Sequence, residues 1–391
     1  MTGAAVQIAA SAGDSVGEML RKSVRDFCAR HPGVARMRRL RGTEPGYDAT
    51  VWRQMADAGW TGIALPETAG GLGLGLAEIC IVAEELATDL APEPFAPATL
   101  AALAIAAGDN PKLQDRLLPA IVSGALIACF AWQEEANIID ALNPATRFIA
   151  LADGRLVLTG EKHFVTGAGG ANGFAVTAAT PAGPAIAWVQ ANANGVSRHA
   201  TLAVDGSMLT RLTFDAVEIG AEDVIASAAS TALLLPRLLD EAVVIASAEL
   251  LGIMQAAVER TREYVGQRKQ FGKPIGSFQV LQHRLVDLWM QRELVCACLE
   301  EAIAACGQPD AARRALFASA AKARASAAAT HIGRQSIQLH GAIGYADEHD
   351  IGLFLKRAIV RSAWMGNAPV HRKRFAVLSG FVGAAGAAER R

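Results

Sequence analysis

Three stretches of this chain carry residue types whose spacing could hold a phosphate-bearing aromatic ligand. In Arg268-Lys-Gln-Phe271-Gly272 the guanidinium offers a planar fork for a pyrophosphate, the phenyl ring an apolar face for a heterocycle, and the glycine a close backbone approach. The same residues also fit a helix-terminal Arg beside a core Phe. In Gln338-Leu-His-Gly341-Ala342-Ile-Gly344-Tyr345 bare backbone N–H groups could reach an anion where no Cβ intervenes, or Gly341 could simply cap a helix. In Gly160-Glu-Lys-His163-Phe164-Val165-Thr166-Gly167 a threonine hydroxyl follows an aromatic ring, although strands favour both types anyway. Two carboxylates, Glu241 and Glu249, lie in a long apolar segment where burial would raise a carboxyl pKa toward that of a base. Pairing of Glu241 with a nearby cation, and of Glu249 with an arginine, would give each a structural role.

The elements that must position these residues fall into three parts. From Val16 to about Gly124 apolar residues recur at helical spacing, broken at Pro32-Gly33, Glu44-Pro45-Gly46 and Leu65 to Gly75. Between Ile127 and about Ile225 the pattern shortens and alternates, as in Phe148-Ile-Ala-Leu, Arg155-Leu-Val-Leu-Thr and Gly173-Phe-Ala-Val-Thr, with turns at Asp153-Gly154 and Pro181-Ala-Gly183. Long helical patterns then return over Leu233–Arg268, Phe278–Ala305, Asp310–Gln338 and Ile351 to about Trp364. The expected fold is mainly α with a central β domain. It comprises an N-terminal helical domain (1–126), a small β-barrel or sandwich (127–228) and a C-terminal four-helix bundle (229–391).

Composition narrows the function classes. Lys plus Arg (37) nearly balances Asp plus Glu (38), so no overall field draws the chain to nucleic acid or an anionic membrane. No unbroken apolar run reaches the roughly 18 residues of a membrane span. Met1 to Asp14 lacks the charged start and apolar stretch of a secretory signal and reads as a loose tail. Cys28, Cys80, Cys129, Cys296, Cys298 and Cys306 form no CxxC pair, so reduced thiols in a cytoplasmic protein are expected and a metal is not. Gly167-Ala-Gly-Gly170 precedes no helix and reads as a turn, not a dinucleotide fingerprint.

Together these segments resemble the acyl-CoA dehydrogenase family. Arg268 to Gly272 is similar to its Arg-x-x-Phe-Gly signature, and Gln338 to Tyr345 to its second glycine segment. Gly160 to Gly167 is similar to the strand beside the flavin, with Phe164 where Trp is usual. Trp60-Thr-Gly-Ile-Ala-Leu-Pro66-Glu67 with Gly70-Gly-Leu-Gly73 extends the likeness over the N-terminal part. The resemblance implies bound FAD, with Arg268, Phe271, Gln338, Gly341 and Ala342 meeting its pyrophosphate, partly across a subunit boundary. It implies that Phe164 flanks the isoalloxazine, that Thr166 donates toward N5 and that Gln133 bonds the pyrimidine edge. The Gly-rich loop that follows this last position in the family is replaced by Glu135 to Asp140. An acyl-CoA substrate, an electron-transfer flavoprotein as acceptor and an oligomer, homomeric or shared with a homologous subunit, are further implications.

The family's desaturation needs a carboxylate to remove the α proton while the β hydrogen leaves as hydride to flavin N5. Its C-terminal site for that base holds Met365 here, within Ala363-Trp364-Met365-Gly366-Asn367, and its helical site holds Ala242. Glu241 is rotated about 100° from that position, and Glu249 lies two turns further on, nearly the same face but roughly 10 Å along the axis. Met365 retains a backbone N–H, the group that polarises the thioester carbonyl in the family. The expectation therefore divides between a dehydrogenase with a displaced base, Glu249 or Glu241, and a subunit whose base comes from a partner. Action on another acid such as a nitroalkane ranks below both, because that branch keeps a carboxylate where Met365 stands. Glu348 and Asp350 read as charges at a helix start.

Overall fold

A computed structural model of the protein describes residues 14–139, 141–150 and 155–381. The tail before Asp14, the turn at Asp153-Gly154 and Asp140 of the altered loop lie outside the described residues. Six helices open the chain: α1 (Asp14–Arg30), α2 (Gly33–Leu40), α3 (Ala49–Asp57), α4 (Leu76–Thr88), α5 (Phe95–Ala106) and α6 (Pro111–Val122). Eight strands follow: β1 (Ala128–Ala131), β2 (Arg147–Ala150), β3 (Leu156–Thr166), β4 (Gly173–Thr180), β5 (Gly183–Gln190), β6 (Val196–Leu202), β7 (Met208–Ile219) and β8 (Val224–Ala226). The last part holds α7 (Ala228–Gln267), the two-residue strands β9 (Lys269–Gln270) and β10 (Lys273–Pro274), then α8 (Gln279–Cys306), α9 (Ala311–His340), α10 (Ile351–Ala363) and α11 (Ala368–Leu378). The helix–strand–helix order thus agrees with the periodicity, and α11 adds a fifth helix that its pattern does not announce.

Side chains that cap helix ends explain several boundaries. Asp48 Oδ1 accepts from Thr50 N (3.0 Å) to open α3, and Asp310 Oδ1 accepts from Ala312 N and Arg313 N (3.0 Å each) to open α9. Asn110 caps α6 just before Pro111, whose missing N–H costs nothing at that position.

By packing, the described residues form two compact units. One holds the residues up to Val34, Leu76–Ala91 and those from Val243 on; the other holds Ala35–Gly75 and Pro92–Ala242. In the second, the sheet runs β6-β7-β3-β2-β4-β5-β8, with β1 pairing parallel to β4. Its core includes Phe148, Leu158, Phe174, Val176, Leu212 and Phe214. Each such large side chain contributes roughly 1.5–3 kcal/mol by leaving water.

In the first unit α7 packs so closely on α4 that a Cβ on Gly252 would meet the Glu84 carbonyl oxygen at 2.0 Å. Arg21 of α1 reaches Glu85 (2.9 Å) and Glu84 (3.1 Å) of α4, and Arg25 joins Glu85 at 2.8 Å. α7 is also the one described helix long and apolar enough to cross a membrane, but 78% of its apolar window is buried inside the protein. It is a core helix whose apolar faces meet other protein.

Candidate active site

In the unit that holds the sheet, β3 owes its shape to one extra residue. Leu158 and Lys162 point inward with the expected period of two, which would also bury Phe164 and Thr166. Between the pairs Lys162↔Leu212 and Val165↔Thr210 the strand advances three residues against two on β7. That bulge reverses the alternation: Val165 turns in, and Phe164, at φ +57°, turns out with 40% of its surface exposed. Phe164 and Thr166 thereby share the outer face. The freed His163 N–H donates to Gln133 O at 2.8 Å, so the segment after β1 is joined to the bulge. The Gln133 side-chain amide donates to Glu135 O at 2.9 Å.

Beneath that face lies a buried ion pair. Lys162 is 0% exposed, and its Nζ donates to Glu134 Oε1 at 2.7 Å and to Trp132 O at 3.4 Å. Glu134 also accepts from Thr146 N (3.0 Å) and Ala145 N (2.5 Å). Burial pulls the Glu134 carboxyl upward, but the Lys162 ammonium and the Thr146 bonds prevail and bring it down to about 2. Burial takes Lys162 down to about 8 although Glu134 opposes it.

In the other unit, two turns carry the remaining cofactor candidates. Phe271 (φ +53°) and Gly272 (φ +79°) close the β9–β10 hairpin, both left-handed as a two-residue hairpin turn demands. Glycine adopts that shape freely, whereas a phenylalanine there is strained. Phe271 is nevertheless 90% exposed, so a strained aromatic ring is held out toward solvent beside the exposed Arg268. At the end of α9, Gly341 takes φ +70°, its N–H donates to Gln338 O and Ile337 O, and a Cβ there would meet nothing within 4 Å, so Gly341 and Ala342 are exposed. Gln338 is exposed on the preceding turn. Tyr264 and His340 stack at 4.4 Å between ring centroids, which brings the roots of the two turns side by side. Exposed backbone, an outward ring and an arginine fork are a donor set that fits the pyrophosphate and aromatic parts of FAD.

The same unit holds Met365 and Glu249, whereas Ala242 closes the sheet-bearing unit. Met365 is 0% exposed at φ +59°, and its carbonyl accepts from His371 Nε2 at 2.7 Å. Burial, with help from Lys322 and Arg374, pushes His371 down to about 3, so it is neutral and donates through Nε2. Glu249 is buried and bonds Arg361 at 3.1 Å, with its Oε2 lacking a hydrogen-bond partner. Burial raises its carboxyl pKa against the pull of Arg361, Arg357 and Lys322. Lys322, also 0% exposed, donates to Arg361 O (2.9 Å), Ser362 O (3.2 Å) and Ser326 Oγ (3.1 Å), closing the end of α10 just before Met365. Glu241, in the sheet-bearing unit, bonds Arg237 at 2.8 Å one helical turn earlier. Asp350 precedes α10 and meets Arg260 at 3.6 Å. Sequence reasoning did not single out Lys162, Lys322 or His371; a lone lysine at an inward position of an apolar strand, or in the Ala-rich run of α9, was the available signal.

Comparison with known proteins gives the family. The family model for the acyl-CoA dehydrogenase N-terminal domain matches residues 16–125, and that for the C-terminal domain matches residues 234–377. Acyl-CoA dehydrogenase IpdE2 of Mycobacterium tuberculosis is 31% identical over 343 residues, 87% of this chain and 90% of that protein. Among solved structures, a variant of the Tcur3481–Tcur3483 steroid ACAD is 32% identical with a TM-score of 0.86, over 95% of this chain and 99% of that one. The ChsE4–ChsE5 complex of Mycobacterium tuberculosis also reaches 0.86, at 24% identity over 97% of this chain and 100% of that one. The chain belongs to the acyl-CoA dehydrogenase family. Its cofactor is FAD, and its reaction class is oxidation of a CH–CH bond.

Proposed function

We propose that this chain is the subunit without a base in a hetero-oligomeric acyl-CoA dehydrogenase, and that a homologous partner brings the glutamate. The observation that carries the reading is the Glu249–Arg361 pair: the carboxylate nearest in face to the family's helical site is engaged by a part-buried guanidinium. Met365 and Ala242 occupy the family's two base positions, and Glu241 is taken up by Arg237. Two similar structures are named as pairs of proteins, which favours shared sites. The domain division at 1–126, 127–228 and 229–391, an electron-transfer flavoprotein as acceptor and a cytoplasmic location complete the reading.

When bound, FAD would supply the acceptor for the hydride that leaves the substrate's β carbon. Toward it this chain offers Phe164, Thr166 and Gln133 for the ring system, and Arg268, Phe271, Gln338, Gly341 and Ala342 for the pyrophosphate. The Met365 N–H is the group that would polarise a thioester carbonyl and acidify the α carbon for the partner's carboxylate; Met365 is fully buried here, so the side chains over it must move aside for substrate. His371 fixes the peptide that follows Met365. The thioesters to test include steroid acyl-CoAs, since a 32% identical structure is named a steroid ACAD.

The purified FAD-loaded chain should keep an oxidised flavin when mixed with straight-chain, branched and steroid acyl-CoAs. Co-expression with a homologous subunit that carries the glutamate should restore bleaching by at least one of them. Bleaching by the homomer alone would overturn this reading. It would favour Glu249 as a displaced base, for which the raised pKa and the unpartnered Oε2 are the specific support.

A further inference from the structure

The Lys162–Glu134 pair has no part in the chemistry described above, yet it lies directly beneath the residues assigned to the flavin. Lys162 is the last inward residue before the β3 bulge, and its ammonium spans to the segment after β1. Three residues of that segment are tied down in turn. Trp132 O accepts from Lys162 Nζ (3.4 Å) and Thr177 Oγ1 (3.5 Å), Gln133 O from His163 N (2.8 Å), and Glu134 from Lys162 Nζ (2.7 Å). Glu134 extends the tie to Ala145 and Thr146, and Thr146 Oγ1 donates back to Glu161 O of β3 at 3.0 Å. The network is closed. A strand that only needed a filled core would place an apolar side chain at an inward position such as 162, since an ammonium in a dry interior is costly.

We infer that Lys162 and Glu134 form a clamp that holds Gln133 in register with Phe164 and Thr166, making Lys162 a positioning residue for the flavin. The inference rests on the proposed contact of Gln133, Phe164 and Thr166 with FAD. It adds what keeps those groups, on two separate segments, at a fixed spacing. The Lys162 ammonium and the Thr146 bonds keep Glu134 ionised, and burial brings Lys162 down to about 8, so the clamp is ionised on both sides at pH 7. His163 and Glu161, which pair with each other at 3.2 Å outside the clamp, leave Glu134 as the carboxylate facing Lys162.

The test uses the full-length FAD protein, with its partner subunit if the flavin requires one. Lys162→Met should weaken FAD binding about 10- to 100-fold, the range set by one lost charge-assisted hydrogen bond, and should shift the visible flavin spectrum and the reduction potential. Lys162→Arg, which keeps a cationic donor, should restore the spectrum and potential at least in part. Glu134→Gln should reproduce the spectral shift in milder form and serves if Lys162→Met does not fold. Unchanged FAD affinity, spectrum and potential in Lys162→Met or Glu134→Gln would overturn the clamp, provided Gln133→Ala and Phe164→Ala do alter them. If those two variants also leave the flavin unaltered, the assignment of the flavin residues fails first, and the clamp with it.

Discussion

Among the described residues two lysines are fully withdrawn from water, one in each unit, and they solve the same electrostatic problem differently. Lys162 meets a carboxylate, Glu134, so its charge is balanced at 2.7 Å. Lys322 donates to neutral acceptors, two of them the last carbonyls of α10, where the helix end carries partial negative charge. Burial accordingly takes Lys322 further down, to about 7, against about 8 for Lys162. Glu249 raises Lys322 too, but through space and against Arg361, so a carboxylate in direct contact holds the proton more tightly than one without a hydrogen bond to the ammonium. The first arrangement ties two segments of a sheet together; the second fixes the end of a helix just ahead of Met365.

A large effect is expected on the pH dependence of stability. The ordinary lysine value is 10.5, so from about pH 7 to 10.5 the unfolded chain still holds a proton that folded Lys322 has released. Where the unfolded state binds more protons, stability rises with pH. Wild type should therefore gain stability relative to Lys322→Met across that window, by at most about 4 kcal/mol. For Lys162 the sign is the same and the window narrower, from about 8 to 10.5, so the gain relative to Lys162→Met should be smaller. Urea unfolding of the three proteins at pH 6 and pH 10 measures both, and a larger gain for Lys162 would reverse the comparison.

Glu134 gives an opposite limb. Its folded value, about 2, lies below the ordinary 4.5, so the stability it lends is full above pH 4.5 and is lost as pH falls toward 2. Because this carboxylate is partly open to water, roughly 2 kcal/mol is the expected size. Thermal melts of wild type and Glu134→Gln should converge on acidification. If the difference between them is the same at pH 3 as at pH 7, the ion pair is not what stabilises this corner.

The end of α10 should also answer to His371. With its ring neutral at ordinary pH, the bond from Nε2 to Met365 O is a donor's role that Gln can imitate and Ala cannot. In the active assembly, His371→Ala should lower kcat/KM for acyl-CoA about tenfold, one lost positioning bond, and His371→Gln should recover part of it. Equal losses in both variants would detach Met365's carbonyl bond from catalysis.

The order of elements was legible because helical and strand periods differ, and the cofactor turns because Arg, Phe and Gly combine in few other ways. The bulge was not, since Phe164 at an even position after Lys162 reads as inward until one extra residue reverses the face. Lys162 and Lys322 were hidden for a related reason. Burial of a charge depends on acceptors far along the chain, Glu134 for one and the residues 361 and 362 for the other, and no local pattern announces them. A nearby cation for Glu241 follows from i,i+4 spacing, which Arg237 fills; an arginine for Glu249 follows from burial alone, and its identity, Arg361 on α10, has no local signal.

Glu249 and Glu241, two of the carboxylates of α7, carry the comparison to its smallest effect. Glu249 is buried against Arg361 and faces further cations, so removing Arg361 strands a charge and should cost about 3–5 kcal/mol. Arg237, by contrast, is 62% exposed along its side chain and stands four residues before Glu241, the less favourable order for an i,i+4 pair. Water screens that attraction and the arginine must give up rotamer freedom to keep it. Arg237→Ala should therefore shift the urea midpoint by less than about 0.5 kcal/mol of stability. A cost comparable to that of Arg361→Ala would mean that Glu241 is held as firmly as Glu249, and that the helix positions a second carboxylate for use.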